Sequence, residues 1–418
     1  MQKFTAAFLS AVLASSFCLS AQAADPSIPD PFAALKQGNS ASNSAPAAAA
    51  PDTPIVIPAA PVFDAQSWVL MDYETGQVIS EHNGQERIWP ASLTKMMTSY
   101  VIGMEFKAGR LHNDDEVVIT EEAWAKNYTD SSKMFIEVGK KIKVGDLNKG
   151  IIIQSGNDAC VAMAIHLAGS EEGFVSVMNT YAKQLGLEHT HFSNVHGLFD
   201  EQNYSTAYDM ALLGRALIRD LPEEYSIYAQ KEFTFNGIRQ YNRNRLLWDE
   251  TLSVDGIKTG HLSQVGYNLV ASAVNGSQRL IASVIGAHSE ADRSSFCKQL
   301  LTYGFRFFES YQPFDDNKTI LQREVRMGKN SSVELIVDRP VRLVIPRGSQ
   351  SRIKVSYRLE NSVFLAPIAE RQPLGVIEFR LDDKNLASYP LVARQAIPEG
   401  GFLTRLWDKI YLFFAGDE

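Results

Sequence analysis

Residues 89–98 read Trp89-Pro90-Ala91-Ser92-Leu93-Thr94-Lys95-Met96-Met97-Thr98, which predicts the start of a helix with a serine in its first turn. Proline is favoured where a helix begins, and the run from Leu93 to Ile102 is mostly apolar, as in a buried helix. Residues three apart share one helix face, so the Ser92 hydroxyl should lie beside the Lys95 amine. This spacing suits a serine nucleophile whose proton is taken by a lysine.

Two further polar motifs follow in chain order, Ser155-Gly156-Asn157 and Lys258-Thr259-Gly260. Both flanks of the third motif, Leu252 to Ile257 and Tyr267 to Ala273, are typical of strands, so Lys258 should lie on an edge strand that lines a cleft. Each motif alone also fits an ordinary helix cap, turn or strand lysine. The ordered combination of all three predicts a serine acyl-transfer site.

The same serine–lysine spacing occurs twice more, in Ser295-Phe296-Cys297-Lys298 and in Ser351-Arg352-Ile353-Lys354. Neither pair is followed by the other two motifs. Ser351 lies in the alternating pattern of Ile353, Val355, Tyr357 and Leu359, which predicts a strand, and a strand would point Ser351 and Lys354 to opposite faces. We therefore expect both pairs to lie outside the catalytic site.

The three motifs in their wider context resemble the low-molecular-mass penicillin-binding proteins, and more closely the D-alanyl-D-alanine carboxypeptidases of Gram-negative bacteria. The segments that carry the resemblance are residues 89–98, 154–159, 194–198, 232–237 and 255–261. The resemblance implies a fold of the mixed α/β class, of α+β type. It consists of a catalytic domain like that of penicillin-binding proteins and serine β-lactamases, in which helices flank an antiparallel sheet and the site faces a helical lobe.

The resemblance also implies the reaction, removal of the terminal D-alanine from peptidoglycan stem pentapeptides through an acyl-enzyme on Ser92. Penicillin and other β-lactam antibiotics would acylate the same serine. A serine hydroxyl is a poor nucleophile at neutral pH, so a neighbouring base must take its proton. Lys95 can do this only when neutral, a state that apolar surroundings such as Met96 and Met97 and a second cation, Lys258, would favour.

The remaining site residues follow from the same chemistry and from the resemblance. We expect Ser155 to relay a proton to the leaving amine and Asn157 to hold Lys95 and a substrate amide. The resemblance implies an oxyanion site at the backbone N–H groups of Ser92 and His261, and it places Arg293 where the family has an arginine for the terminal carboxylate. The substrate-binding residues implied are Gly156, His196, Thr259, Gly260, His261 and Arg293.

Two other functions share these motifs. A serine β-lactamase would hydrolyse its acyl-enzyme quickly, usually with an added carboxylate base, and the class A version has Ser-Asp-Asn where this chain has Ser155-Gly156-Asn157. A catalytically idle cell-wall-binding scaffold would keep only the fold. The histidines lack zinc-site spacing, so we expect neither a metal nor a cofactor. The net charge of −8, without a long basic block, argues against nucleic acid as a partner.

The two ends of the chain predict export and membrane attachment. Residues 1–23 have one lysine, an apolar stretch and the small-x-small site Ala21-Gln22-Ala23, as in a cleaved signal peptide. The last residues form an amphipathic, aromatic segment that suits an anchor lying in the plane of a membrane. Its apolar side is predicted to contain Phe402, Leu403, Leu406, Trp407, Ile410, Phe413 and Phe414. The predicted location is the periplasm, with peripheral attachment to the inner membrane.

Between these ends the sequence divides into three parts. Residues 24–61 form an Ala/Pro/Ser-rich leader with too little apolar surface to fold, residues 62–308 the catalytic domain, and residues 309–397 a small β-sandwich followed by the anchor segment, 398–418. Signal cleavage would leave Cys160 and Cys297, and we expect no disulfide between them because Cys160 continues an apolar helix.

Overall fold

The computed structural model describes residues 57–414, so the predicted signal peptide and most of the predicted leader lie outside the described residues. The predicted catalytic domain is built on an antiparallel sheet. Across this sheet the strands are β2 (Val78–His82), β1 (Ser67–Asp72), β9 (Gln278–Ala287), β8 (Gly266–Asn275) and β7 (Ser253–Leu262). Strand β7 forms one edge, as the flanks of the Lys258 motif predicted.

Helices cover both faces of this sheet because its central strands are apolar on both sides. Val270 of β8 packs in one hydrophobic cluster with α5 (Ala207–Asp220), whereas its neighbour Leu269 packs in another with α7 (Glu290–Phe307). A Cβ at Gly304 of α7 would lie 2.5 Å from Leu280 Cδ1, so glycine lets this helix approach the sheet closely. The two faces together give the predicted layered α+β architecture.

A helical lobe lies between β2 and β5 in the chain, with α1 (Lys95–Lys107) in its core, where residues 95–103 are all buried. The other helices are α2 (Val144–Lys149), α3 (Asn157–Ala168), α4 (Glu171–Gln184) and α6 (Pro222–Tyr225). Two short antiparallel strand pairs accompany them, β3 (Glu116–Val118) with β4 (Lys141–Lys143) and β5 (Glu232–Phe235) with β6 (Ile238–Tyr241). Cys160 in α3 and Cys297 in α7 are both buried and unpaired, as predicted.

The C-terminal part of the described chain is rich in strands, as predicted. Its larger sheet has the order β14 (Ile353–Leu359), β16 (Pro373–Leu381), β17 (Lys384–Ala393), β12 (Ser332–Val337), β11 (Leu321–Arg326) and β15 (Phe364–Leu365). A smaller sheet pairs β10 (Phe308–Tyr311) with β13 (Leu343–Pro346). Ser351 lies in a short 3-10 turn before β14, not in the strand, whereas Ser295 lies on α7.

The last element is α8 (Phe402–Phe414), which the amphipathic pattern predicted as a helix. It is fixed to the strand-rich part through Asp408, whose carboxylate accepts a hydrogen bond from the backbone N–H of Met327 and lies 3.5 Å from the Arg326 guanidinium. Arg326 also lies over the Tyr411 ring, 4.1 Å from its centre. Among the described helices, none has both the length and the apolarity needed to cross a membrane.

Candidate active site

Ser92 lies in a 3-10 turn, Ala91–Thr94, which leads directly into α1 at Lys95. The sequence predicted Ser92 inside the first α-helical turn, so the helix begins slightly later than expected. The pairing itself is present, because Lys95 Nζ donates a hydrogen bond of 3.1 Å to Ser92 Oγ. Lys95 is only 1% exposed. The serine and a buried lysine therefore face each other at the start of α1.

Ser155 and Asn157 come from a sharp bend between a π-helical turn, Gly150–Gln154, and α3. Ser155 has a φ of 66°, in the left-handed region that non-glycine residues rarely adopt. Its buried Oγ has no hydrogen-bond partner among the described residues, so it is available to a reacting group. Asn157, which the sequence assigns to Lys95 and a substrate amide, donates from Nδ2 to Ser131 Oγ at 2.8 Å.

Strand β7 brings the third motif beside the serine turn. A Cβ at Gly260 would lie 3.0 Å from Pro90 O and 3.3 Å from Ser92 N, closer than side chains normally approach. Glycine at this position therefore allows the strand to lie against the turn. Lys258 and Thr259 on the same strand are both nearly buried. The first and third motifs thus meet, and the charges of Lys95 and Lys258 both act on Cys160 of α3, the helix that begins at Asn157 of the second motif.

A loop at residues 194–198 packs against the other side of the serine turn. Lys95 Nζ donates a second hydrogen bond, to the backbone carbonyl of His196. Gly197 has a φ of 81°, and a Cβ there would lie 1.8 Å from Ala91 O. Thr98 Oγ1 donates to Val195 O at 2.6 Å and secures the loop to α1. The loop therefore fixes the orientation of the Lys95 amine.

Burial makes Lys95 a plausible base. The pKa of Lys95 falls to about 8, chiefly because of burial, and the positive charge of Arg243 acts in the same direction. Burial also lowers the pKa of Lys258 well below its usual value, with the charges of Lys95 and Arg243 acting in the same direction. The sequence named Lys258 as the cation beside Lys95; in the structure the charge of Arg243 also acts on both lysines.

His196 contributes through its backbone and is neutral at physiological pH. Burial, with a smaller contribution from the charge of Lys95, lowers its pKa to about 3. Its Nε2 lies 3.7 Å from a carboxylate oxygen of Glu171, but a neutral imidazole forms no ion pair there. The implied substrate-binding role of the His196 side chain therefore has to operate with an uncharged ring.

Arg293 and His261 lie at the far end of the motif. Arg293 is 3% exposed, and its guanidinium donates to Gly260 O at 3.2 Å. It lies 5.5 Å from the centre of the Tyr267 ring, which stacks on the exposed His261 ring at 4.2 Å. Burial lowers the pKa of His261, and the charge of Arg293 acts the same way. This cluster supplies positive charge behind the edge strand.

Three functional neighbours were missed from the sequence: Arg243, Ser131 and Gly197. Arg243 follows β6 in the run Asn242-Arg243-Asn244, and a single arginine in a loop has no distinguishing signal. The flanking asparagines tie this loop to the body of the domain, as Asn244 Nδ2 donates to Gly256 O at 2.9 Å. Gly197 lies within residues 194–198, one of the segments that carry the family resemblance. Its contact with Ala91 could not be predicted, because the two residues are about a hundred positions apart in the sequence.

In the part of the chain that the structure describes, no group of three or more His, Cys, Asp or Glu side chains is placed to hold a metal ion. The site consists instead of a serine, two lysines with lowered pKa values, a second serine and surrounding arginines. With the sheet behind it and the helical lobe in front, this arrangement defines the class of serine acyl-transfer enzymes that includes the penicillin-binding proteins.

Comparison with known proteins identifies the family within that class. A family described as D-alanyl-D-alanine carboxypeptidase matches residues 55–289, and the C-terminal domain of penicillin-binding protein 5 matches residues 308–399. The chain belongs to this D-alanyl-D-alanine carboxypeptidase family of serine peptidases, as the sequence predicted.

Individual relatives agree with this assignment. The chain is 51% identical to the D-alanyl-D-alanine carboxypeptidase DacA of Escherichia coli K12, over 86% of this chain and 90% of the relative. A crystal structure of penicillin-binding protein 5 from Haemophilus influenzae has a TM-score of 0.80 and 47% identity, and covers 82% of this chain and 99% of its own. A carboxypeptidase of Streptomyces sp. strain K15 is 28% identical over 60% of this chain and 91% of the relative.

Proposed function

We propose that this chain removes the terminal D-alanine from peptidoglycan stem pentapeptides through an acyl-enzyme on Ser92, and that β-lactams acylate the same residue. The observation that carries the proposal is the hydrogen bond between Lys95 Nζ and Ser92 Oγ in a buried site where the pKa of Lys95 falls to about 8. A lysine in this state can be neutral near physiological pH, so it can serve as a base.

In the acylation step, Ser92 Oγ attacks the carbonyl carbon of the penultimate D-alanine while neutral Lys95 accepts the hydroxyl proton. The backbone N–H groups of Ser92 and His261 hold the resulting oxyanion. The C–N bond to the terminal D-alanine then breaks, and the proton passes through Ser155 Oγ to the leaving amine. Water hydrolyses the ester and restores Ser92. With a β-lactam, the same attack opens the ring, and no fragment departs from the site.

Binding of the terminal carboxylate is assigned to the end of β7. Thr259 lies next to Lys258 on this strand, and the guanidinium of Arg293 adds positive charge immediately behind it. We assign Gly156, Asn157, Gly260 and His196 to binding of the peptide backbone and the penultimate residue. A carboxypeptidase requires such an anion site, because its substrates end in a free carboxylate.

We also propose a periplasmic location with peripheral attachment to the inner membrane through α8. The polar side of this helix faces the protein, as Asp408 binds Met327 N and Arg326. The apolar side faces solvent, and its exposed members are Phe402, Leu403, Leu406, Trp407 and Ile410. A helix packed on the strand-rich domain for stability alone would bury that side. Residues 62–308, 309–397 and 398–418 thus serve as catalytic domain, β domain and anchor.

Release of D-alanine from diacetyl-L-Lys-D-Ala-D-Ala tests the proposed activity. We predict release by the unsubstituted chain and a loss of about a thousandfold or more in Ser92→Ala. Ser295→Ala is the matched control, because Ser295 has the same spacing to a lysine but lies on α7, behind the sheet. Absence of release by the unsubstituted chain, or equal loss in both variants, would contradict the assignment of Ser92.

A further inference from the structure

Glu290, the first residue of α7, lies between two arginines at the edge of the candidate active site. One carboxylate oxygen is 3.5 Å from the Arg293 guanidinium, and the other is 3.3 Å from Arg245 Nε. Arg293 is buried, whereas Arg245 is largely exposed. Glu290 itself is about half exposed. A single carboxylate is therefore shared between a buried and an exposed cation.

Glu290 and Arg245 border a cavity of about 650 Å³, which we call the arginine pocket. Its lining residues are Tyr241, Asn242, Arg243, Arg245, Trp248 and Glu290. Two cations thus face one carboxylate in the lining. The charge of Arg243 reaches Lys95 and Lys258, so the pocket is electrostatically connected to the reacting groups. Burial lowers the pKa of Arg293, and the Glu290 carboxylate opposes that lowering, which means that the two groups interact.

We propose that Glu290 is an internal counter-ion that competes with the terminal carboxylate of the substrate for Arg293, and that Arg245 weakens this competition by sharing Glu290. The inference rests on the proposed function, since it takes Arg293 as part of the carboxylate site. Glu290 occupies the first turn of α7, where the helix dipole stabilises a negative charge. Its carboxylate is the same chemical group as the substrate terminus with which it competes for Arg293. Glu290 is thus a residue that sets specificity for the substrate terminus.

A counter-ion of this kind weakens substrate binding but also helps the product to depart. Free D-alanine keeps the carboxylate that was bound at the end of β7, and after acylation it must leave before water can reach the ester. When Glu290 re-forms its contact with Arg293, the product loses its cationic partner. The expected signature is a change in KM and in inhibition by D-alanine, with little change in kcat.

Glu290→Gln and Arg245→Gln test the proposal because it predicts opposite effects. Using diacetyl-L-Lys-D-Ala-D-Ala, we expect Glu290→Gln to lower KM by about two- to fivefold, the scale of a partly exposed charge, and to strengthen inhibition by free D-alanine similarly. In Arg245→Gln, Glu290 interacts with Arg293 alone and competes more strongly with the substrate carboxylate, so KM should rise. The double variant should resemble Glu290→Gln, since Arg245 acts only through Glu290. Both effects should shrink at high salt.

Asp292→Asn is the matched control. Asp292 lies in the same first turn of α7 and also loses one negative charge, but its carboxylate bonds to Ser289 Oγ at 2.7 Å. We expect its KM to stay unchanged, and thermal unfolding of all variants reports any loss of folding. A raised KM in Glu290→Gln would show that Glu290 positions Arg293, and an unchanged KM would show no role; either result overturns the inference. Failure of the unsubstituted chain to release D-alanine would instead overturn the proposed function.

Discussion

Protonation of Lys95 controls whether Ser92 can react, because only a neutral lysine accepts the hydroxyl proton. With a pKa of about 8, roughly one lysine in ten is neutral at pH 7. The neutral fraction rises as the pH passes through that value. We therefore predict that the second-order rate of acylation by penicillin increases from pH 6 to pH 9, with its half-maximal value near pH 8. Stopped-flow measurement with a fluorescent penicillin would record this profile.

Arg243→Gln should move that profile to higher pH. Arg243 contributes a positive charge that lowers the pKa of both lysines in the site, so its removal lets Lys95 hold its proton more strongly. Acylation at pH 7 should then be slower than in the unsubstituted chain, while the rate at high pH recovers. Arg239→Gln provides the control, because Arg239 is exposed and paired with Glu232 on the β5–β6 hairpin. A shift of equal size in both variants would exclude a local effect of Arg243.

At the scale of elements, the loop that contains Gly197 positions α1 relative to the serine turn. We predict that Gly197→Ala slows acylation by more than about tenfold, because a Cβ 1.8 Å from Ala91 O must displace the loop and the His196 carbonyl that binds Lys95. Gly186→Ala is the control that distinguishes the cost of a left-handed backbone from the effect of a steric clash. Gly186 has a similar φ of 72° but nothing within 4 Å of its Cβ position.

Gly186→Ala should cost about 1–2 kcal/mol of folding free energy from its left-handed backbone alone, without loss of activity. Chemical denaturation of both variants gives the stability, and fluorescent penicillin labelling gives the rate. If Gly186→Ala slows acylation as much as Gly197→Ala does, the effect is global destabilisation and the loop has no specific role.

The elements that carry the motifs could be predicted from sequence because their signals are local. Spacing and apolar runs predicted α1 beside Ser92, and the flanks of Lys258 predicted an edge strand, which is β7. The contacts that complete the site could not be predicted in this way. Arg243 and the His196 carbonyl reach Lys95 through tertiary folding, and a lone arginine or a backbone carbonyl has no pattern in the sequence.

For the whole molecule, we propose that α8 keeps the catalytic domain close to a membrane. We predict that Leu403→Asp combined with Trp407→Asp abolishes sedimentation with phospholipid vesicles, because both side chains are about 70% exposed on the apolar side of the helix. Penicillin acylation in solution should be unaffected. Leu365→Asp is the control, since Leu365 is exposed on the strand-rich domain but lies outside α8. Continued vesicle binding by the double variant would contradict the anchor.

Mass spectrometry of the penicillin-treated protein tests the central claim most directly. We predict a single adduct of one penicillin on the peptide that contains Ser92, persisting for minutes, and no adduct in Ser92→Ala. The adduct should form normally in Ser295→Ala, whose serine lies on α7. An adduct on another residue, or labelling that persists in Ser92→Ala, would contradict the assignment of Ser92 as the nucleophile, and rapid loss of the Ser92 adduct would indicate a β-lactamase.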